Sequence, residues 1–172
     1  MRRGPVLWLL CGAAALLGAA APAAAAGQLA VAVADFDYSD TSGEEADQSA
    51  QHRDRMTIFA ALLRDGLAQR DYRVVRPACP QPACTAISMA PDDLVAAARR
   101  DGARYLVYGG IRKMSTLVQW GEVQLFDVER EQLVMRRAVT FRGDTDTAFR
   151  RAADFVSETV TDAMASRCAS SR

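Results

Sequence analysis

The chain has 172 residues, half of them hydrophobic, with 21 basic and 21 acidic side chains, one histidine and four cysteines. That length supports one domain around a single core. The balanced charge excludes the broad basic face that general nucleic-acid binding needs, so no nucleic-acid partner is expected.

The first residues set the compartment. Arg2 and Arg3 precede an apolar run from Val6 to Ala21, and Ala24-x-Ala26 suits signal peptidase, so residues 1–26 are expected to be a cleaved signal peptide. The run is short and Ala-rich for a membrane span, and no basic stop-transfer flank follows it, so no membrane anchor is expected after cleavage. Cys11 follows Leu10 rather than a small residue, which does not suit lipidation. The expectation is a periplasmic protein, with residues 27–172 as one α/β domain carrying about two net negative charges.

Leu29–Phe36 is a Val/Ala-rich apolar run and predicts a buried strand. An acidic loop, DYSDTSGEEADQS, follows. From about Ala50 to Arg70, Met56, Phe59, Leu63 and Leu67 recur at helical spacing. YRVV is a brief second strand, ended by Pro77 and the loop CPQPAC. The segment APDDLVAAARRDGA carries helix punctuation: Pro91 in the first turn, Asp92 and Asp93 at the positive end, Arg99 and Arg100 at the negative end, and Gly102 as the stop. RYLVYGGI predicts a third strand. LVQWGEVQLFDV and QLVMRRAVTF predict a hairpin turning at Glu129 to Glu131, and Ala148 to Ala165 predicts a closing helix. The order β-α-β-α-β-β-β-α implies an α/β fold with a mixed sheet of about five strands and helices packed on it.

In the oxidising periplasm Cys79 and Cys84 can close a local loop contributing about 2 kcal/mol. Pairing of Cys168 with either of them is equally allowed. The C-x4-C spacing does not suit a thioredoxin-like role.

If both early crossovers are ordinary βαβ units, strands one to three run parallel, and the last strand is parallel to the third. Asp35, Asp37, the cysteine loop, Arg112 to Ser115 and Arg142 to Asp146 then share the carboxyl edge, where open α/β sheets bind ligands. The candidate binding residues are Asp35, Asp37, Arg112, Lys113, Ser115, Trp120, Arg142, Asp144 and Asp146. For Arg112 and Lys113 a solvated hairpin end is the favoured reading, and for Trp120 a half-buried place on a sheet face.

Several short motifs bear on chemistry. Lys113-Met114-Ser115-Thr116 is one step from the KMSKS loop of class I aminoacyl-tRNA synthetases, but their histidine pair is missing. His52-Arg53-Asp54 matches the start of a kinase catalytic loop, but Phe59 stands where its asparagine belongs, and His52 is expected exposed on a helical first turn. DFDYSD lacks the Gly and the Glu of an EF-hand. No Ser-His-Asp set and no zinc site can be built, and no cofactor or metal is expected. The enzyme alternative is a magnesium-dependent phosphatase of the haloacid dehalogenase type, with Asp35 as nucleophile, Asp37 as acid/base, and Asp144 and Asp146 offered to magnesium. Ser39 stands where that family has threonine. GDTDTAF is also a helix start, with Asp144 or Thr145 as cap.

VAVADFDYSDTSGE, GARYLVYGGIRKMSTLVQW and FRGDTDTAFRRAADF resemble an uncharacterised family of small exported proteobacterial proteins, a domain of unknown function, over nearly the whole mature chain. The order of elements is also similar to the amino-terminal domain of TolB, to CsgG and to the lipoprotein activators of penicillin-binding proteins. The resemblance implies a periplasmic interaction module that binds a partner protein or small ligand without catalysis.

Overall fold

The computed structural model describes residues 28–79 and 83–170, except for the side chains at 168 and 170. The expected signal peptide, Cys11, the loop prolines Pro80 and Pro82 and the side chain of Cys168 lie outside the described residues.

The run Leu29–Phe36 forms a strand interrupted by one extra residue. β1 (Ala30–Val33) ends with Val33 opposite Val107, and β2 (Asp37–Asp40) begins with Asp37 opposite Gly110, both on the same neighbouring strand. Four residues on one side thus match three on the other, the signature of a β-bulge. The bulge flips the side-chain alternation. Before it, Ala32 and Ala34 face one cluster and Val31 and Val33 the other; after it, Phe36 joins Val31 and Val33. This makes the sheet six-stranded, where about five strands were expected.

α1 (Ser49–Ala68) leads to β3 (Arg73–Val75), and α2 (Pro91–Arg100) leads to β4 (Tyr105–Lys113), as the pattern predicted. β5 (Val118–Asp127) and β6 (Gln132–Arg142) form the hairpin, and α3 (Asp146–Ser170) closes the chain. The strand order is β3-β1-β4-β5-β6, with β2 extending the line of β1 alongside β4. β1, β2 and β3 are parallel to their neighbours, whereas β4–β5 and β5–β6 are antiparallel. Hydrophobic periodicity therefore predicted the order of elements along the chain, while the bulge was invisible to it, because only pairing with β4 reveals an extra residue.

The two sheet faces are covered unequally. α1 and α3 lie over the face built from Val31, Phe36, Val107, Ile111, Val123 and Val139. Phe59 meets Phe36 edge-on at 5.1 Å between ring centroids, and Phe149 meets Phe141 at 5.0 Å. α2 covers the other face over Ala32, Ala34 and Leu106. Its N1 proline, acidic first turn and basic last turn stand as expected, and Gly102 takes φ 70°. A helix of this length reaches about 15 Å, whereas a ten-residue strand reaches about 33 Å. α2 therefore covers only part of its face, with Cys84 and Met89 of the preceding loop packed beside it.

Cys79 is bonded to Cys84, their Cα atoms 5.7 Å apart. Among the described residues no helix is long and apolar enough to cross a membrane.

Candidate functional site

The parallel strands bring the predicted loops to one edge, and there they divide into a locked ionic set and an open face.

The ionic set is centred on Asp144, in the turn between β6 and α3. Lys113, the only lysine in the chain, has its side chain 1 % exposed. Its Nζ donates to Asp144 Oδ2 at 2.9 Å, to Gln48 Oε1 at 2.7 Å and to Glu44. His52, the only histidine, is buried, stacks on Tyr38 with ring centroids 4.3 Å apart, and meets Asp144 Oδ2 through Nε2 at 3.1 Å. Arg55 pairs with Asp144 and donates through Nε to Asp146 Oδ1 at 3.2 Å. The start of α1, the end of β4 and the start of α3 are thus held by one carboxylate. Two expectations are corrected here. His52 is buried rather than exposed, because it and Arg55 extend the Met56–Phe59–Leu63–Leu67 stripe by one turn. Lys113 is not a solvated hairpin end, since odd positions of β4 face the helix-covered side. The cap of α3 is Thr145, whose Oγ1 accepts from Ala148 N at 3.3 Å, which leaves Asp144 free for the buried set.

Asp35 belongs to a second tie. Its Oδ1 accepts from Arg64 at 2.9 Å, and its Oδ2 accepts from Arg76 at 2.7 Å and from Cys84 N at 3.0 Å. Both oxygens of the residue considered as a phosphoryl nucleophile are therefore engaged, Oδ1 by α1 through Arg64 and Oδ2 by Arg76 and the cysteine loop. Asp35 shares no partner with Asp144, the residue considered for magnesium. Among the described residues no group of three or more His, Cys, Asp or Glu is placed to hold a metal ion.

The open face lies beyond the N-terminus of α2, toward the carboxyl end of β4. Asp37, Ser39, Tyr108, Gly110, Arg112, Trp120 and Glu122 lie on it, around a cavity of about 330 Å³ to which no helix contributes a residue. A hydrogen-bonded chain crosses its floor: Tyr108 Oη donates to Gln124 Oε1 at 2.7 Å, Gln124 Nε2 to Glu122 Oε1 at 2.9 Å, and Arg136 Nε lies 2.9 Å from the same oxygen. Ile87, 82 % exposed, and Trp120, 38 % exposed, supply apolar surface. Arg112 stands between Ser39 and Trp120 on one rung of the sheet, without an ion-pair partner among the described residues. Asp37 accepts from Ile87 N at 3.1 Å, and burial pushes its carboxyl above the ordinary range.

Of the nine predicted residues, Asp37, Arg112 and Trp120 line the open face, while Lys113, Asp144 and Asp146 join the ionic set. Asp35 is the separate tie, Ser115 sits in the β4–β5 turn, and Arg142 lies beside a different cavity on β6. Residues that escaped the sequence reading are His52, Arg55, Glu44 and Gln48 in the ionic set, and Tyr108, Ile87 and Arg136 on the open face. The helical stripe carried the signal for the first two.

The electrostatics give an acid-stability prediction. Burial would raise the Asp144 carboxyl, but Lys113, His52 and Arg55 outweigh it and hold it below the ordinary range. Burial of Asp35 is likewise outweighed, by Arg76, the Cys84 amide and Arg64. Depressed carboxylates contribute stability that is complete above their unfolded value, about 3.9, and is lost as pH falls through it toward the lower folded values. Asp37, pushed the other way, opposes this weakly. The urea midpoint is expected to drop as pH falls from about 4 to about 3, and Asp144→Asn to flatten that drop. An unchanged midpoint across that interval would mean that neither carboxylate is engaged.

Comparison with curated protein sequences finds no match. Among solved structures, TolB from Acinetobacter baumannii aligns at TM-score 0.49 and 18% identity, over 80% of this chain and 28% of that one, so the chain spans little more than a quarter of TolB. The PelC dodecamer protein from Paraburkholderia phytofirmans aligns at TM-score 0.48 and 16% identity, over 75% of this chain and 86% of that one. Lipoprotein GNA1162 from Neisseria meningitidis aligns at 0.45 and 12%, over 79% and 96%. A family model matches residues 29–160, from the first strand to the middle of the last helix, and by that match the chain belongs to DUF3280, described as "Protein of unknown function (DUF2380)".

Proposed function

We propose that this chain is an exported, non-catalytic binding protein of the cell envelope, and that a segment of a partner protein docks on the open half of its sheet. The observation carrying the proposal is the unequal covering of the two faces. One is sealed by two helices, while the other keeps Trp120 and Ile87 exposed beside Arg112, which has no ion-pair partner among the described residues. An exposed aromatic next to such an arginine suits a partner that offers an apolar side chain with a carboxylate beside it. Catalysis has less support, because Asp35 and Asp144, considered as nucleophile and magnesium ligand, are neutralised by arginine and lysine.

The test is affinity retention of envelope proteins on the immobilised chain, with Trp120→Ala/Arg112→Ala in parallel. Both side chains are exposed and outside the ionic set, so the double variant is expected to unfold within about 1 kcal/mol of the parent. It is expected to lose at least tenfold in affinity for the retained partner. Equal retention by both proteins sinks the proposal, as does a partner replaced by a small ligand that elutes with it.

A further inference from the structure

Among the described residues β6 ends the sheet and is hydrogen-bonded to β5 along one side only. At 11 residues it is about twice a typical strand, and it contains no proline. A cavity of about 440 Å³ follows its free side. Every residue from Arg137 to Arg142 lines that cavity, both pleat faces together, which is how a strand presents itself to a groove along its edge. The opposite wall is the start of α3, where Ala148 and Ala152, one turn apart, keep the helix surface low. Phe155, 46 % exposed, stands at that wall.

The charge of the groove selects its occupant. Arg137, Arg142 and Arg151 line it, no acidic residue does, and none of the three has an ion-pair partner among the described residues. Arginines on an edge strand oppose pairing with a second copy, because antiparallel β6 edges would set like charges against one another. The same charges favour a strand carrying carboxylates. We propose that the β6–α3 groove takes an extended acidic peptide segment of a partner protein, which adds to the sheet as a further strand. Its main chain pairs with the free side of β6, its carboxylates meet Arg137, Arg142 and Arg151, and an apolar side chain rests on Phe155. About six residues of such a segment match the lined length at roughly 3.4 Å each. This surface is separate from the open face and does not depend on the proposal made for it.

The test uses the full chain and a fluorescent eight-residue peptide with three glutamates on either side of two valines, which carries carboxylates and valines on both pleat faces, read by anisotropy. Three companions are the lysine-for-glutamate peptide, a version with a central proline, and vesicles of phosphatidylglycerol. The glutamate peptide is expected to bind, the lysine peptide not to bind, and the proline version to bind at least tenfold more weakly. Arg137→Glu/Arg151→Glu is expected to abolish binding with the unfolding midpoint preserved, and Phe155→Ala to weaken it. Trp120→Ala/Arg112→Ala is expected to leave it unchanged. Equal binding of the proline peptide would reduce the groove to a charge patch and overturn the proposal. Binding of the vesicles without the peptide, insensitivity to the arginine variant, or a dimer through β6 would each overturn it as well.

Discussion

Lys113→Met is expected to lower the unfolding free energy by about 3 kcal/mol, seen as a fall in the urea midpoint with an unchanged slope. The lysine is enclosed by Glu44, Gln48 and Asp144, and its side chain is 1 % exposed. Burying an ammonium group is costly, and these three acceptors, two of them carboxylates, offset the cost. Methionine fills the stem volume but removes the charge, so a carboxylate at the junction of three elements loses a partner. The loss falls at the low end of the range for a broken buried pair, for two reasons. Asp144 keeps Arg55 and His52, and the Glu44 side chain is 22 % exposed and can turn to water. The lysine amine itself stays charged beyond its ordinary range; burial works against this, and the bonds to Glu44 and Asp144 prevail. A change below about 1 kcal/mol would show that the set contributes no more than surface pairs do.

Gly109→Ala is expected to cost about 3 kcal/mol or to prevent accumulation of folded chain. A Cβ at Gly109 would lie 2.1 Å from the carbonyl oxygen of Glu122 and 3.0 Å from the Phe36 ring. The first contact is with the backbone of the neighbouring strand, which cannot swing aside as a side-chain tip can. Relief requires β4 and β5 to shift in register or separate, in the region that carries the open face. The second contact is with Phe36, the residue that the β1–β2 bulge turns into the core. The missing side chain at Gly109 and the extra residue in β1–β2 are therefore two parts of one fit. An alanine variant within about 0.5 kcal/mol of the parent would contradict this.

Much of this architecture was legible in the residues. The caps of α2 are local chemistry, and each signal sits within a turn or two of the helix it ends. Short connections made β4, β5 and β6 neighbours, and βαβ handedness then set Asp35, Lys113 and Asp144 on one edge. What a buried polar residue does there was not legible. Lys113 and Asp144 are 31 positions apart and meet only because β5 and β6 return the chain to the same edge. An apolar count passes over His52 and Arg55, although both keep the helical spacing of the core stripe. The split of the edge into a sealed side and an open side follows from the reach of a ten-residue α2, a length the sequence did show.

Trp120 offers the most direct reading of the binding face. In a chain carrying Trp8→Phe it is the only tryptophan, and its indole lies on the cavity between Arg112 and Thr140. Labelling that chain with 5-fluorotryptophan and titrating it with the protein retained from the envelope reports on this face through the fluorine resonance as well as through the emission left after subtracting that of the partner alone. Docking there is expected to shift the emission to shorter wavelength and to shield the indole from iodide, with a saturation midpoint matching the measured affinity. Full binding with the spectrum and the quenching unchanged would contradict docking on this face.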